Sequence, residues 1–149
     1  MKDKMFHIER VGEKHVPNLA QIEKACFAHP WSEDGLRSLT GEDYAAFAAV
    51  SDDGKAVAYV GMTVSQFEGN ITNVGVLPEY RRQGLASLVL SALVDFSREK
   101  GIPSIFLEVR ESNFGAIALY EKFGFALCGR RPKFYRTPTE DALIMALTL

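Results

Sequence analysis

The chain has 149 residues, of which 47% are hydrophobic and 24% charged, and its formal net charge is −2. That length supports one well-buried core and is short for two, so a single domain over residues 1–149 is expected. The mild acidity supplies no general basic field for DNA or RNA, no apolar run approaches the roughly 20 residues of a membrane span, and the charged start Met1-Lys2-Asp3-Lys4 does not lead into the apolar stretch of a signal peptide.

Residues 6–11 alternate as a first strand. Pro17 then opens a helix whose Val16, Leu19, Ile22, Cys26 and Phe27 form an inward stripe. The run Pro30-Trp31-Ser32-Glu33-Asp34 breaks it, and Ser32 caps a short second helix that extends through Leu39 and stops at Gly41. Residues 44–50 and 56–67 read as antiparallel strands joined at Asp52-Asp53-Gly54, a hairpin signal. Glu68-Gly69-Asn70 turns into a buried strand that ends at Leu77, because Pro78 has no N–H to donate. Leu85, Leu88, Val89, Ala92, Leu93 and Phe96 recur at helical spacing, and Gly101 and Pro103 end that helix. Residues 104–110 form a strand, 113–123 a helix, and 125–135 and 141–147 two last strands. The order β-α-α-β-β-β-α-β-α-β-β describes one mixed α/β sheet, and the strand, helix, strand unit over 73–109 needs a crossover that makes its two strands parallel.

Between the fourth strand and the third helix stands Arg81-Arg82-Gln83-Gly84-Leu85-Ala86. A basic, glycine-bearing turn at a helix N-terminus aims unpaired main-chain N–H groups and the positive end of the helix dipole at one point, which suits a phosphate. A plain helix start with solvated arginines would look the same. The run lacks both the closing Gly-Lys-Ser/Thr of a P-loop and the three-glycine dinucleotide fingerprint.

Cys26 and Cys128 show no ligand spacing and read as buried free thiols of a reducing compartment, the cytoplasm. His7, His15 and His29 make no metal-type pairing, so no metal is expected. Along residues 105–110, alternation puts Ile105, Leu107 and Val109 on one face and Phe106, Glu108 and Arg110 on the other. A mid-strand carboxylate on so apolar a segment is costly unless it is solvated, paired with Arg110, or employed. Tyr120 has the spacing of a core aromatic, and Asn113 is placed to cap the helix that carries it.

The order of elements and the turn at 81–86 resemble the GNAT acetyltransferase superfamily, whose pattern Gln/Arg-x-x-Gly-x-Gly/Ala this run satisfies. The segments Leu107-Glu108-Val109-Arg110-Glu111-Ser112-Asn113, Ala116-Ile117-Ala118-Leu119-Tyr120 and Gly124-Phe125 resemble its RimI type, which modifies the N-terminal alanine of protein eighteen of the small ribosomal subunit. Phe27, Pro30-Trp31-Ser32, Arg130-Arg131, Phe134-Tyr135 and residues 140–145 extend the likeness over nearly the whole chain.

The resemblance implies the acyl-CoA N-acyltransferase fold, with the fourth and fifth strands splayed apart, and acetyl-CoA as co-substrate. It implies that the coenzyme's pyrophosphate lies on Arg82, Gln83, Gly84, Leu85, Ala86 and Ser87, and that its arm lies along the main chain of Val74, Gly75 and Val76, with Gly75 tolerating a bulge. Asn113 would add a bond to the arm. Glu108 would be the general base, acting through water, and Tyr120 the proton donor to the departing thiolate. Trp31 and Tyr135 would either face the acceptor or only pack. By charge, Glu33, Asp34, Glu140 and Asp141 would either receive a basic tail or, as acidic residues in a first helical turn do, serve ordinary capping.

The implied acceptor is a peptide or protein N-terminus, a ribosomal protein, with no nucleic acid or membrane involved directly. The same fold aimed at a lysine or a small amine, or a non-catalytic acyl-CoA-binding module, would share the turn. An α-amino group, with a pKa of about 8, costs about 1.4 kcal/mol to neutralise at pH 7, against about 4.6 kcal/mol for lysine, so one water-linked carboxylate suffices for an N-terminus. Three positions depart from the family: Ser87 replaces a frequent arginine, Phe114-Gly115 replaces small helix formers, and Leu36 replaces a frequent aromatic.

Overall fold

The structure, a computed structural model, describes residues 5–149. Met1-Lys2-Asp3-Lys4, on which the leader argument rests, lie outside the described residues. The elements are β1 (Phe6–Arg10), α1 (Val16–Cys26), α2 (Glu33–Arg37), β2 (Tyr44–Ser51), β3 (Ala56–Val64), β4 (Gly69–Val76), α3 (Leu85–Glu99), β5 (Ser104–Arg110), α4 (Phe114–Lys122), β6 (Ala126–Arg136) and β7 (Thr139–Thr148). Their order is the expected one. Among the described residues seven strands join one sheet in the order β1-β2-β3-β4-β5-β7-β6, and only the β4–β5 pairing is parallel.

Helices cover both faces, which is why β3 is buried along most of its length instead of alternating. The Tyr59 hydroxyl reaches Glu23 of α1. On the opposite face, next to Val60, its cross-strand neighbour Phe47 meets Phe96 of α3 edge-on, with ring centroids 5.8 Å apart. The core therefore has two layers, one under α1 and one under α3.

Three local expectations change. The buried stripe of α3 is Leu85, Val89, Leu90, Leu93, Val94 and Ser97, whereas Leu88 is exposed. The i, i+4 row of Leu85, Val89, Leu93 and Ser97 is its centre, and Ser97 enters the core because its hydroxyl donates to Leu93 O at 2.8 Å. β3 stops at Val64, because the Ser65 hydroxyl accepts from the N–H groups of Phe67 and Glu68 and closes a turn there, leaving Phe67 exposed. The turn therefore comes before Gly69, which already belongs to β4. The second helix ends at Arg37 and tightens into a 3-10 turn over Ser38–Thr40.

Glu9 pins β1 to the turn before α1. Its carboxylate meets His7 at 2.6 Å, His15 at 2.9 Å and Lys14 at 3.0 Å. These contacts, led by His7 and then His15, lower its pKa from 4.5 to about 2. A depressed carboxylate contributes stability that is complete above its ordinary pKa and lost as pH falls through the folded value. Glu9→Gln is therefore expected to flatten the loss of thermal stability between pH 4.5 and about pH 2, read by circular-dichroism melting.

Candidate active site

β4 and β5 pair only at Gly69 with Ile105 and Asn70 with Phe106, and beyond those residues they diverge. The divergence begins at an extra residue in β4. Gly61 stands opposite Asn73 and Met62 opposite Ile71, so Thr72 is the bulge, a device that bends a strand and increases its twist. The bulge is not at Gly75, the position expected to tolerate one. A Cβ on Gly75 would lie 2.8 Å from Ile22 Cγ2, so this glycine lets α1 close onto the strand.

Leu77 N–H donates to Val57 O, and Gly75 stands opposite Tyr59. Alternation along an antiparallel ladder then turns the main-chain groups of Gly75 toward β3 and those of Val74 and Val76 toward the gap. Gly75 therefore offers its main chain to β3, not to a ligand arm between the strands. Val76 O already accepts from Cys26 Sγ at 3.2 Å and Arg81 Nε at 3.3 Å, which leaves Val74 and the Val76 N–H as the open edge.

β4 leads into α3 through the basic turn, where Arg82 (φ 64) and Gly84 (φ 75) are both left-handed. Gly84 caps α3 without any side-chain hydrogen bond, and the first helical bond is Leu88 N–H to Gly84 O. The amides of Leu85, Ala86 and Ser87 therefore have no intrahelical acceptor. Arg82 and Gln83 are exposed beside them. Free amides at a helix start suit an anion, and these are set on the edge of the sheet where the parallel strands β4 and β5 both end. Asn113, at the end of β5, caps α4 by accepting from Ala116 N–H at 3.2 Å and also borders the gap.

The gap opens into a cleft of about 350 Å³ whose walls include Val74, Glu108, Asn113, Tyr120 and Tyr135. An adjoining hollow of similar size is lined by Phe27, His29, Trp31, Tyr135 and Thr137, and the two share Cys26, Phe27, Thr72, Asn73, Arg110 and Tyr135. Trp31 and Tyr135 thus both border the second half.

The Glu108 side chain is 35% exposed and pairs with Arg131 Nε at 3.3 Å, not with Arg110 as its own strand suggested. Arg110 instead stacks on the Tyr135 ring at 4.4 Å and bonds Glu140 Oε1 at 3.2 Å, Pro138 O and Thr137 O. Tyr120 is both core and cleft wall. It is 7% exposed, packs against Phe125, and has its pKa pushed up to about 12 by burial, with the nearby Tyr135 adding to the effect. Burial, then Glu108, also raises the pKa of Tyr135.

The acidic residues expected to receive a basic tail are already engaged. Arg37 holds Asp34 and Glu33, Arg110 and the Ser112 N–H hold Glu140, and Arg130 and the Lys133 N–H hold Asp141. The cysteines also differ from expectation. Cys128 is exposed on β6 and Cys26 is half-buried at the cleft, because an apolar sequence context does not say which face of a strand a residue takes.

Sequence reasoning missed Glu23 and Asn73, which bond each other beneath the cleft. A lone Glu within an apolar helical stripe was the available signal for the first; nothing local marked the second. Among the described residues, no group of three or more His, Cys, Asp or Glu side chains is placed to hold a metal ion, and no helix is long and apolar enough to cross a membrane.

A mixed sheet with a divergent parallel pair, a helix start without a side-chain cap, and a carboxylate and a buried phenol on one cleft are the features of an acyltransferase. The chain belongs to the acetyltransferase (GNAT) family, whose sequence pattern matches residues 16–125. It is 40% identical over 147 residues to the [ribosomal protein bS18]-alanine N-acetyltransferase of Escherichia coli K12, covering 97% of this chain and 99% of that one. The Haemophilus influenzae protein of the same name is 34% identical, with coverage of 97% and 100%. The crystal structure of the ribosomal-protein-S18-alanine N-acetyltransferase from Escherichia coli superposes with a TM-score of 0.90 at 38% identity, covering 97% of this chain and 94% of that one. Ard1 from Thermoplasma volcanium, at 23% identity and a TM-score of 0.86, shares the fold.

A Cβ on Gly84 would meet no atom within 4 Å, so a side chain there is opposed by its positive φ alone. Gly84→Val is expected to cost about 1–2 kcal/mol. Differential scanning calorimetry should show a Tm lower by a few degrees, and titration calorimetry a weaker affinity for coenzyme A.

Proposed function

We propose that this acetyltransferase moves an acetyl group from acetyl-CoA to the N-terminal alanine amine of a ribosomal protein, bS18 of the small subunit, in the cytoplasm. The observation that carries the reading is that Glu108 and Tyr120 face one cleft between diverging strands, with an aromatic-lined second half adjoining it. Acetyl-CoA, when bound, supplies an acyl group activated as a thioester. The amides of Leu85, Ala86 and Ser87, with Arg82, Gln83 and Gly84, would hold its pyrophosphate, and the main chain of Val74 and the Val76 N–H would order its arm as an added strand does. Asn113 lies close enough to the same gap to add a bond while capping α4.

Glu108 is the base. Its partial exposure lets a water reach it, and Arg131 fixes the direction of the carboxylate. It takes a proton from the amine through that water as the amine attacks the acyl carbon. Tyr120 is the acid. With its pKa pushed up to about 12 the phenol keeps its proton at neutral pH and can share it with the departing thiolate as charge develops on sulfur. Trp31 and Tyr135 wall the half into which the peptide's first residue extends.

Glu108→Gln is expected to lower kcat by a factor on the order of 10²–10⁴ while acetyl-CoA affinity stays within about twofold. Tyr120→Phe should lower kcat about 10- to 100-fold without altering the shape of the pH–rate profile between about pH 6 and 9, because the phenol does not ionise in that range. Mass spectrometry after incubation with acetyl-CoA provides the acceptor test. A peptide beginning with alanine should gain one acetyl group, whereas the same peptide with a blocked N-terminus and a lysine should gain none. Modification of the lysine peptide alone would replace this reading.

A further inference from the structure

Beneath the cleft, the carboxylate of Glu23, only 1% exposed, gathers three donors. Trp31 N–H lies at 2.8 Å from Oε1, and Tyr59 O–H at 2.6 Å and Asn73 Nδ2 at 3.3 Å from Oε2. Burial and then the Glu23 bond hold the Tyr59 pKa well above the ordinary tyrosine value, so the phenol is the donor of that pair. These bonds also fix how the Asn73 amide is turned. Reversing it would set its oxygen against a carboxylate oxygen, two acceptors with no proton between them.

Asn73 Oδ1 consequently points away from Glu23, and it is buried with no hydrogen-bond partner among the described residues. An acceptor left in that state lacks the hydrogen bond that water gives it in the unfolded chain. Asn73 borders both halves of the cleft, on the face of β4 that packs on α1 and one residue beyond the Thr72 bulge. A group that belongs to both halves lies where the two substrates meet. The free amides at the start of α3, in contrast, lie past the far end of β4.

We propose that Asn73 Oδ1 receives an N–H of the incoming amine and so sets the direction of attack. The inference rests on the acetyl-transfer reading above. A primary amine has two hydrogens once neutral. One leaves toward Glu108 as the new C–N bond forms, and the other remains on nitrogen in the product amide. With that second hydrogen on Asn73 Oδ1, the nitrogen lone pair is held toward the acyl carbon. Glu23 is then a positioning residue: it fixes the amide orientation through Nδ2 and holds the Trp31 segment over the same hollow. The arrangement also selects against amines that lack a second hydrogen, since these would leave the buried oxygen unpaired.

The test compares kcat/KM for a peptide beginning with alanine and the same peptide beginning with N-methylalanine, whose neutral amine has one hydrogen. The wild-type protein is expected to prefer the first by 50-fold or more. In Asn73→Leu, which keeps the side chain's shape, kcat/KM for the alanine peptide should fall by about 10- to 100-fold with acetyl-CoA affinity unchanged, and the preference should shrink at least fivefold. A merely structural role would lower both peptides in proportion, and an unchanged ratio would overturn the inference. Should the variant not fold, a crystal structure of the wild-type protein with coenzyme A and the acetylated peptide decides. A distance of about 3 Å from Asn73 Oδ1 to the acetylated nitrogen supports the proposal, and one beyond 4 Å sinks it. Wild-type protein that acetylates no peptide amine at all would overturn the functional reading itself.

Discussion

The constraint on which the rest of the molecule depends is the brevity of the one parallel pairing. Two residue pairs join β4 to β5, and the Thr72 bulge then bends β4 away. In a fully paired sheet the outward main-chain groups of Val74 and Val76 would be spent on β5. Here Val76 O is taken by Cys26 and Arg81, and the groups of Val74 and the Val76 N–H have no strand beside them. The shape and polarity of the cleft between the two strands follow from where a ladder stops.

Keeping such a gap open needs a rigid surround, and buried polar contacts supply part of it. Glu23 binds α1 to β3 through Tyr59, to β4 through Asn73, and to the segment before α2 through Trp31. Four elements thus share one carboxylate, and removing it would leave several buried donors unpaired at once. On the other side, Arg110 ties the end of β5 to the β6–β7 turn through Glu140, Pro138 and Thr137, and its guanidinium lies over Tyr135. Each wall of the cleft is held by a hydrogen-bonded charge at its base.

The electrostatic surroundings of Glu108 and Tyr120 differ. Glu108 keeps contact with solvent and pairs with Arg131, while burial holds the Tyr120 pKa up and favours its neutral form. The surface carboxylates of α2 and β7 take no part in this, being matched by Arg37, Arg110 and Arg130.

Much of this was legible in the amino-acid order, since local chemistry decides it. Helical and alternating periods, Pro78, Gly84 and Gly101 fix where elements begin and end, the run at 81–86 marks the turn between β4 and α3, and the alternation of β5 puts Glu108 on the face opposite Leu107 and Val109. The outcomes that needed the folded chain all depend on partners distant in sequence. Arg131, not Arg110, meets Glu108 because β6 is brought alongside by β7. Gly75 serves the approach of Ile22, and Ser97 enters the core under cover of its own helix. Asn73 acquires meaning only beside a glutamate fifty residues earlier. Periodicity is a property of neighbours along the chain and survives in the sequence, whereas pairing, burial and the direction of a side-chain amide are set by what the sheet brings next to it.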